Sequence, residues 1–282
     1  MGWLPSLPLN YIMKGVKTQI DTSTYNPKEI VAALSAERLK PYSLFTPYAD
    51  EIHSIVPYDL VQWLSSMLFT PLQYFEVTLR NRLYVVLEKH YMWRRKKYKV
   101  LGDPAEWLKW MPTKQSTIQK VNDAYTFAQR NVKNRPVVIG DIISGLSLGV
   151  WIDILKEHPK KGSPYHFWTF TQNKIFPNAK NQNRETICAE LLGIKKIRNR
   201  LFHHEPIWNE PSVKNCHMAL SEILKQYERV MRALRWLSID VYMFLWEEGR
   251  EYLLKKQALK LSNSLLNLFS ENKNNNLHSE GR

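Results

Sequence analysis

The stretch KKIRNRLFHHEPIW, residues 195–208, gathers Arg198, Asn199, Arg200, His203, His204 and Glu205 around Ile197, Leu201 and Phe202. Arginine carries a fixed charge and a planar fork of donors that matches phosphate. Histidine, with an ordinary pKa of about 6.5, gains or loses a proton close to neutrality. Together they suit acid/base chemistry on RNA, where the ribose 2′-OH attacks its own phosphate once a base takes its proton. Such a reaction requires neither a metal nor a protein nucleophile. The plainer reading is a basic helix end facing water.

Helix geometry separates the candidates. At 100° per residue from Ile187, the side chains of Leu191, Ile194, Leu201 and Phe202 share an apolar sector, and Arg198 falls inside it at about 20°. An arginine there needs an acid, a phosphate or a carbonyl, because an unpaired buried charge costs several kcal/mol. Asn199 and His203 lie on one flank, one turn apart, at about 120° and 160°. Arg200 and His204 project the other way. The geometry therefore groups Arg198, Asn199 and His203, and leaves Arg200 and His204 as second choices, His204 in a supporting place.

An earlier segment, LQYFEVTLRNRLYVVLEKHY, shows a matching anomaly. Leu72, Phe75, Leu79, Leu83, Val86 and Leu87 form its apolar stripe, with Glu76 inside it at about 40°. Arg80 sits one turn later at the stripe's edge and Asn81 follows it. Glu76 is expected to pair with Arg80 at i,i+4, with Arg198 on the other helix, or with both across one polar cleft. A network that only fixes helix register is the alternative.

Other chemistries have weaker support. His203, His204, Glu205, Cys216 and His217 are close in sequence, but their spacing matches no HExxH or CxxC pattern, and Arg198 and Arg200 would repel a cation. No metal and no cofactor is expected. There is no GxSxG motif, and Cys188 lies on the apolar side of its helix as a small core hydrophobe.

The whole chain fits these readings. Forty Lys+Arg against 26 Asp+Glu give +14 over 282 residues, an excess that attracts polyanions, nucleic acid foremost. With 44% hydrophobic residues and only ten glycines, and apolar positions recurring at three and four, the pattern predicts a helical protein with a substantial core. Two cysteines, Cys188 and Cys216, give no disulfide framework. The opening MGWLPSLPLN lacks the basic and apolar regions of a secretory signal, and no segment offers about 20 uninterrupted apolar residues to span a membrane. A cytoplasmic location without membrane contact is the expectation.

Along the chain, residues 1–26 read as an irregular arm, 27–260 as one all-α domain, and the Asn-rich 261–282 as a partly disordered tail. Asn26-Pro27 starts a helix that runs to about Leu39 and stops at Pro41. A long helix follows Pro57, kinked or broken at Pro71. The run WRRKKYKV reads as a solvated loop or as an RNA contact. In the second case Arg94, Arg95, Lys96, Lys97 and Lys99 track phosphates while Trp93 and Tyr98 stack on unpaired bases. Helices are predicted over 114–133, 141–155, 182–203, 211–237 and 239–260. The second of these carries Gly145 and Gly149 for close approach of a neighbour. An aromatic-rich loop covers 158–180.

Three segments in register resemble a known family. Arg198-Asn199-x3-His203 resembles the signature of HEPN-domain ribonucleases. RNRLFHHEPIW, YFEVTLRNRLYVVLEKHY and LSLGVWIDIL are similar, in order and spacing, to segments of the Abi-like (abortive infection) proteins of bacteria. The resemblance covers roughly residues 28–235. It implies an all-α, HEPN-like helical bundle with additional flanking helices and a metal-independent RNase activity. A homodimer whose two motifs line one cleft is also implied, as is a role in phage defence or as a toxin, with an antitoxin or a phage-derived trigger as further partner. Some toxins of the superfamily carry a Tyr two positions after the motif His, to which an antitoxin adds AMP; here that position is Glu205. Many HEPN domains are non-catalytic, so a binding module for RNA or a protein partner stands beside the endonuclease reading.

Overall fold

The computed structural model describes residues 26–46, 50–98, 107–110, 114–156 and 166–263, and every regular element among them is helical. The expected arm up to residue 25, Lys99 of the basic run and the tail from 264 onward lie outside the described residues. So do the side chain of Tyr98 and the expected turn at Gly102–Pro104.

Asn26 starts α1 (Pro27–Leu34) as the sequence predicts, its side chain accepting from the Lys28 N–H at 3.1 Å. The expected single helix nevertheless breaks at Ser35, which takes φ 72° and caps α2 (Ala36–Leu39) with its hydroxyl. The α-helical stretch ends at Leu39 as expected, and Pro41 lies at the start of the 3-10 turn Lys40–Phe45 that follows, where its missing N–H is not needed. The next helix, α3 (Glu51–Ser66), begins ahead of Pro57 and includes it. Pro57 is buried, so packing offsets the hydrogen bond it removes. The break before α4 (Phe69–Tyr98) falls at Met67-Leu68, and Pro71 sits in the first turn, where proline is tolerated.

Beyond α4 come α5 (Trp107–Trp110), α6 (Gln115–Asn131), α7 (Ile139–Gly145) and α8 (Leu148–Lys156). The helix expected over 141–155 is thus two. Leu146 is extended, and the Ser147 carbonyl opens α8 by accepting from the Val150 N–H at 3.0 Å. The aromatic loop expected over 158–180 contains α9 (Trp168–Ile175), and α10 (Arg184–Phe202) and α11 (Cys216–Leu237) follow. Gly249, at φ 67°, separates α12 (Ile239–Glu247) from a last helix, α13, over 250–263. Leu261 and Ser262 are buried, so the ordered chain runs past the expected boundary at 260.

By contact the chain forms two compact units. One takes its described residues from within Met1–Met67, His204–Leu224 and Tyr252–Arg282. Its core joins Leu39, Phe45 and Leu64 to Trp208, and Tyr42 meets Tyr58 and Trp208 edge-on at 5.0 and 5.6 Å. The other unit takes Leu68–His203 and Lys225–Glu251. One crossing lies inside α11, between Leu224 and Lys225, and so leaves no linker signature in the sequence.

In this second unit α4 is the spine. Leu72, Phe75, Leu79, Leu83, Leu87 and Tyr91 bury its stripe, and α5, α8 and α9 pack on it. Helix α10 lies against α8. Lys195 passes within 3.2 Å of where a Gly149 side chain would stand and reaches Asp153 at 3.2 Å. The expected use of Gly149 for close approach therefore holds, whereas Gly145 meets only Ala124 at ordinary contact distance. On α10's other side, Glu190 Oε2 accepts from Arg229 Nε at 3.1 Å and Arg232 Nη2 at 3.0 Å.

Because Glu190 is half-buried and joins two arginines, Glu190→Gln is expected to lower stability by roughly 1 kcal/mol, near the upper end for accessible ion pairs. Urea denaturation checks this: the midpoint falls while the slope is unchanged.

Candidate functional site

Helix α10 carries the first group of candidates. Asn183 caps it, accepting from the Thr186 N–H at 2.7 Å, and the last helical residue is Phe202. His203 is the C-cap, its N–H bonded to the Asn199 carbonyl at 3.0 Å. Asn199 and His203 therefore stand one turn apart, and both side chains are exposed. Among the described residues, no side chain hydrogen-bonds the His203 ring.

His204 leaves the helix at φ 55° and belongs to the other unit. Its carbonyl accepts from Arg38 Nη1 at 2.8 Å and Gln62 Nε2 at 3.0 Å, which anchors the left-handed turn. The two histidines thus part because the helix ends between them. Arg200, in the last turn, is half-buried.

Arg198 lies inward, as its helix angle requires. Its side chain is 27% exposed and its Nε lies 3.8 Å from Glu76 Oε2, itself 22% exposed. The guanidinium carbon is 4.3 Å from the centre of the Phe202 ring, and Phe69 packs edge-on against Phe202 at 5.3 Å. Phe202 is 50% exposed, so it is not the core residue that the apolar sector suggests. It forms instead the open face on which Arg198 lies, a cation–π contact that stabilises the charge without a hydrogen bond. At 3.8 Å the carboxylate attracts Arg198 but accepts no hydrogen bond from it, and the buried Nε has no partner.

Of the expected partners for Glu76, the structure brings Arg198 to it and not Arg80. The Arg80 Nε is buried without a hydrogen-bond partner, and Arg80 makes no ion pair among the described residues. Glu76 faces the arginine on α10 instead, the one ion pair that Arg198 makes among the described residues. Asn81 is exposed beside Arg80. The cluster therefore has one half-buried guanidinium facing a carboxylate, with Arg80 half-buried four residues after Glu76 on α4, and the Nε donors of both arginines left without an acceptor. Such a site favours an anion that accepts from planar N–H pairs.

The described part of the basic run, residues 93–98, forms the end of α4, a little under two turns, rather than a loop. Arg94 departs from the expectation of a surface cation: it is 5% exposed, with its guanidinium carbon 5.8 Å from the Phe170 ring centre. Helical spacing turns every third or fourth residue inward, so a continuous run of cations cannot all face water. Arg95, Lys96 and Lys97 are exposed, as is Trp93, over whose ring Lys97 Nζ lies at 5.3 Å. Sequence reasoning missed Phe69 as the support beneath Phe202. The two residues are 133 positions apart, and no local pattern links them.

No helix among the described residues is long and apolar enough to cross a membrane. Cys188 and Cys216 are buried and free, and burial pushes both thiols up, away from nucleophilic character. Compared with known proteins, the chain matches no family model, no curated protein and no solved structure.

Glu76→Gln leaves Arg198 half-buried with only the Phe202 ring as compensation. The expected loss is about 1–2 kcal/mol, between the values for exposed and fully buried pairs. Thermal unfolding checks it, and an unchanged melting temperature would show that solvent already screens the charge.

Proposed function

We propose that the chain is a metal-independent RNA endonuclease of the HEPN type, acting in phage defence by abortive infection or as a toxin. The observation that carries the reading is the half-buried Arg198, its Nε without a hydrogen-bond partner, one turn from the exposed His203. Arg198 stabilises the charge that grows on the phosphate oxygens as the 2′-OH attacks phosphorus. His203 takes the 2′-OH proton, the P–O5′ bond breaks, and the 5′ oxygen receives a proton as it leaves. The ends are a 2′,3′-cyclic phosphate and a 5′-OH. A homodimer that brings two motifs into one cleft supplies a second His203 for that last proton. Asn199 and Arg80 help to hold the phosphate, and Glu76 keeps Arg198 in place.

A binding module without turnover is the second reading. It is favoured by the pairing of Arg198 with Glu76 and Phe202, which is sufficient for a structural role. Incubating purified protein with RNA in EDTA separates the two. Arg198→Ala and His203→Ala should each reduce cleavage by 100-fold or more, on the order of 10²–10⁴ for the general base, with circular dichroism unchanged. His204→Ala should be milder. Cleavage that stops on chelation, or that both variants retain, would falsify the reading. Sequencing RNA ends after inducing wild type and His203→Ala in bacteria locates the cleaved sites.

Affinity and chemistry should also separate. Arg95, Lys96 and Lys97 present charge well along α4 from Arg198, so replacing all three by Ala weakens RNA binding while cleavage at saturating RNA survives. The salt dependence of the binding constant should flatten by roughly 0.7 of slope per lost phosphate contact. A salt titration that leaves the slope unchanged places the RNA path elsewhere.

A further inference from the structure

A pocket of about 480 Å³ opens in the second unit where α4 packs on α9, a volume within the usual range of small-molecule sites, roughly 300–1,000 Å³. Its aromatic lining is Trp93, Phe170 and His90, with Val85 and Val86 beside them. Two cations line it too, Lys89 and Lys174, each one helical turn from an aromatic: Lys89 from Trp93 on α4, and Lys174 from Phe170 on α9. The lining includes no Asp or Glu, and neither ammonium has a protein partner among the described residues.

The rings form a face rather than a packed core. Trp93 is 49% and Phe170 51% exposed, although both adjoin buried structure. Their centres are 6.4 Å apart and tilted by 44°, too close for a third ring between them, and Lys97 Nζ lies 5.3 Å from the Trp93 ring centre. His90 stacks on Phe170 at 5.9 Å and 23°, and donates from Nε2 to the His166 carbonyl at 3.2 Å. Burial pushes the His90 imidazole down to about 4, against that carbonyl's pull and with Arg94, Lys174 and His166 adding to burial. The ring is therefore neutral near pH 7 and available for stacking. Beneath the face, buried Arg94 lies against Phe170, and Arg82 Nε donates to the Lys174 carbonyl at 2.9 Å, which fixes the end of α9.

We infer that this pocket binds one nucleoside monophosphate unit, its base lying on Trp93, Phe170 and His90 and its phosphate met by Lys89 and Lys174. Base–aromatic stacking tolerates any base, because each has a π-face, and paired lysines supply charge without sequence preference. The unit comes either from a free nucleotide or from an unpaired residue of a single strand. The second source rests on the RNA reading above, while the pocket's chemistry does not.

Calorimetric titration of the whole protein tests this with three ligands: AMP, ribose 5-phosphate, and a 2′-O-methyl oligoadenylate that cannot be cleaved. Phe170→Ala should weaken binding about tenfold, whereas Phe170→Tyr keeps the stacking face and binds like wild type. Lys174→Ala, a change at an exposed position, should weaken binding and lower the salt slope for the strand by about 0.7. Binding of AMP and strand alike assigns the pocket to the free unit, and binding of the strand alone assigns it to a residue within a chain; both support the inference. Ribose 5-phosphate binding as tightly as AMP, or affinities indifferent to both Phe170→Ala and Lys174→Ala, overturns it. The two proposals fail separately: a protein that cleaves nothing yet binds the strand through Phe170 loses only the nuclease reading. Cleavage with indifferent pocket variants loses only this one.

Discussion

A guanidinium on the apolar face of a helix has to be compensated where it stands, and Arg198 sets that requirement for the second unit. Full burial of an unpaired charge is prohibitive, while full exposure would pull α10 away from its neighbours. The structure takes an intermediate course. Glu76 approaches from α4, near enough for attraction but not for a hydrogen bond, and Phe202 offers its ring face. Compensation of this kind leaves donors open, so the charge is stabilised without being used up. The same compromise that keeps Arg198 in place keeps it available to an anion.

Holding that geometry falls to contacts away from it. Lys195 crosses Gly149 to Asp153 on one side of α10, and Glu190 gathers Arg229 and Arg232 on the other. Gly149 matters here because a Cβ at that position would stand 3.2 Å from the end of the Lys195 side chain, which would have to shift. The helix's last turn is thereby fixed in rotation, which decides that Arg198 faces Glu76 while Asn199 and His203 face out. Small displacements at a phosphate site are costly to chemistry, so the clamp is as much a part of the proposed function as the arginine.

Helix α4 links two kinds of surface along one rod. Glu76 and Arg80 lie near its start, and Trp93 lies about 25 Å further on and about 100° around it. The basic end combines exposed cations with aromatic rings, which suits weak, sequence-tolerant attachment of a strand. The Arg198 cluster instead combines a fixed charge with an exposed histidine at the end of the same helix. Separating attachment from chemistry in this way lets the proposed enzyme hold RNA without saturating its reacting site.

Helical class, the inward place of Arg198 and Glu76, and the shared flank of Asn199 and His203 were all legible in the sequence, because each follows from a 3.6-residue period acting on near neighbours. The start of α1 at Asn26-Pro27 was legible for the same reason, being a local cap. What local pattern could not decide was which arginine Glu76 would face, since Arg80 is nearer to it in sequence and loses it to a helix more than a hundred residues away. Breaks at Ser35 and Leu146, and the persistence of α3 through Pro57, likewise went against local propensity, which packing overrides when the residue concerned is buried or bridges two elements. Phe69 beneath Phe202, the inward turn of Arg94, and the pocket between α4 and α9 depend on where helices distant in sequence meet. Residue types and period determined the candidates for chemistry; only tertiary packing decided their partners, because ion pairs and stacked rings form over ångströms in space and not over positions in a chain.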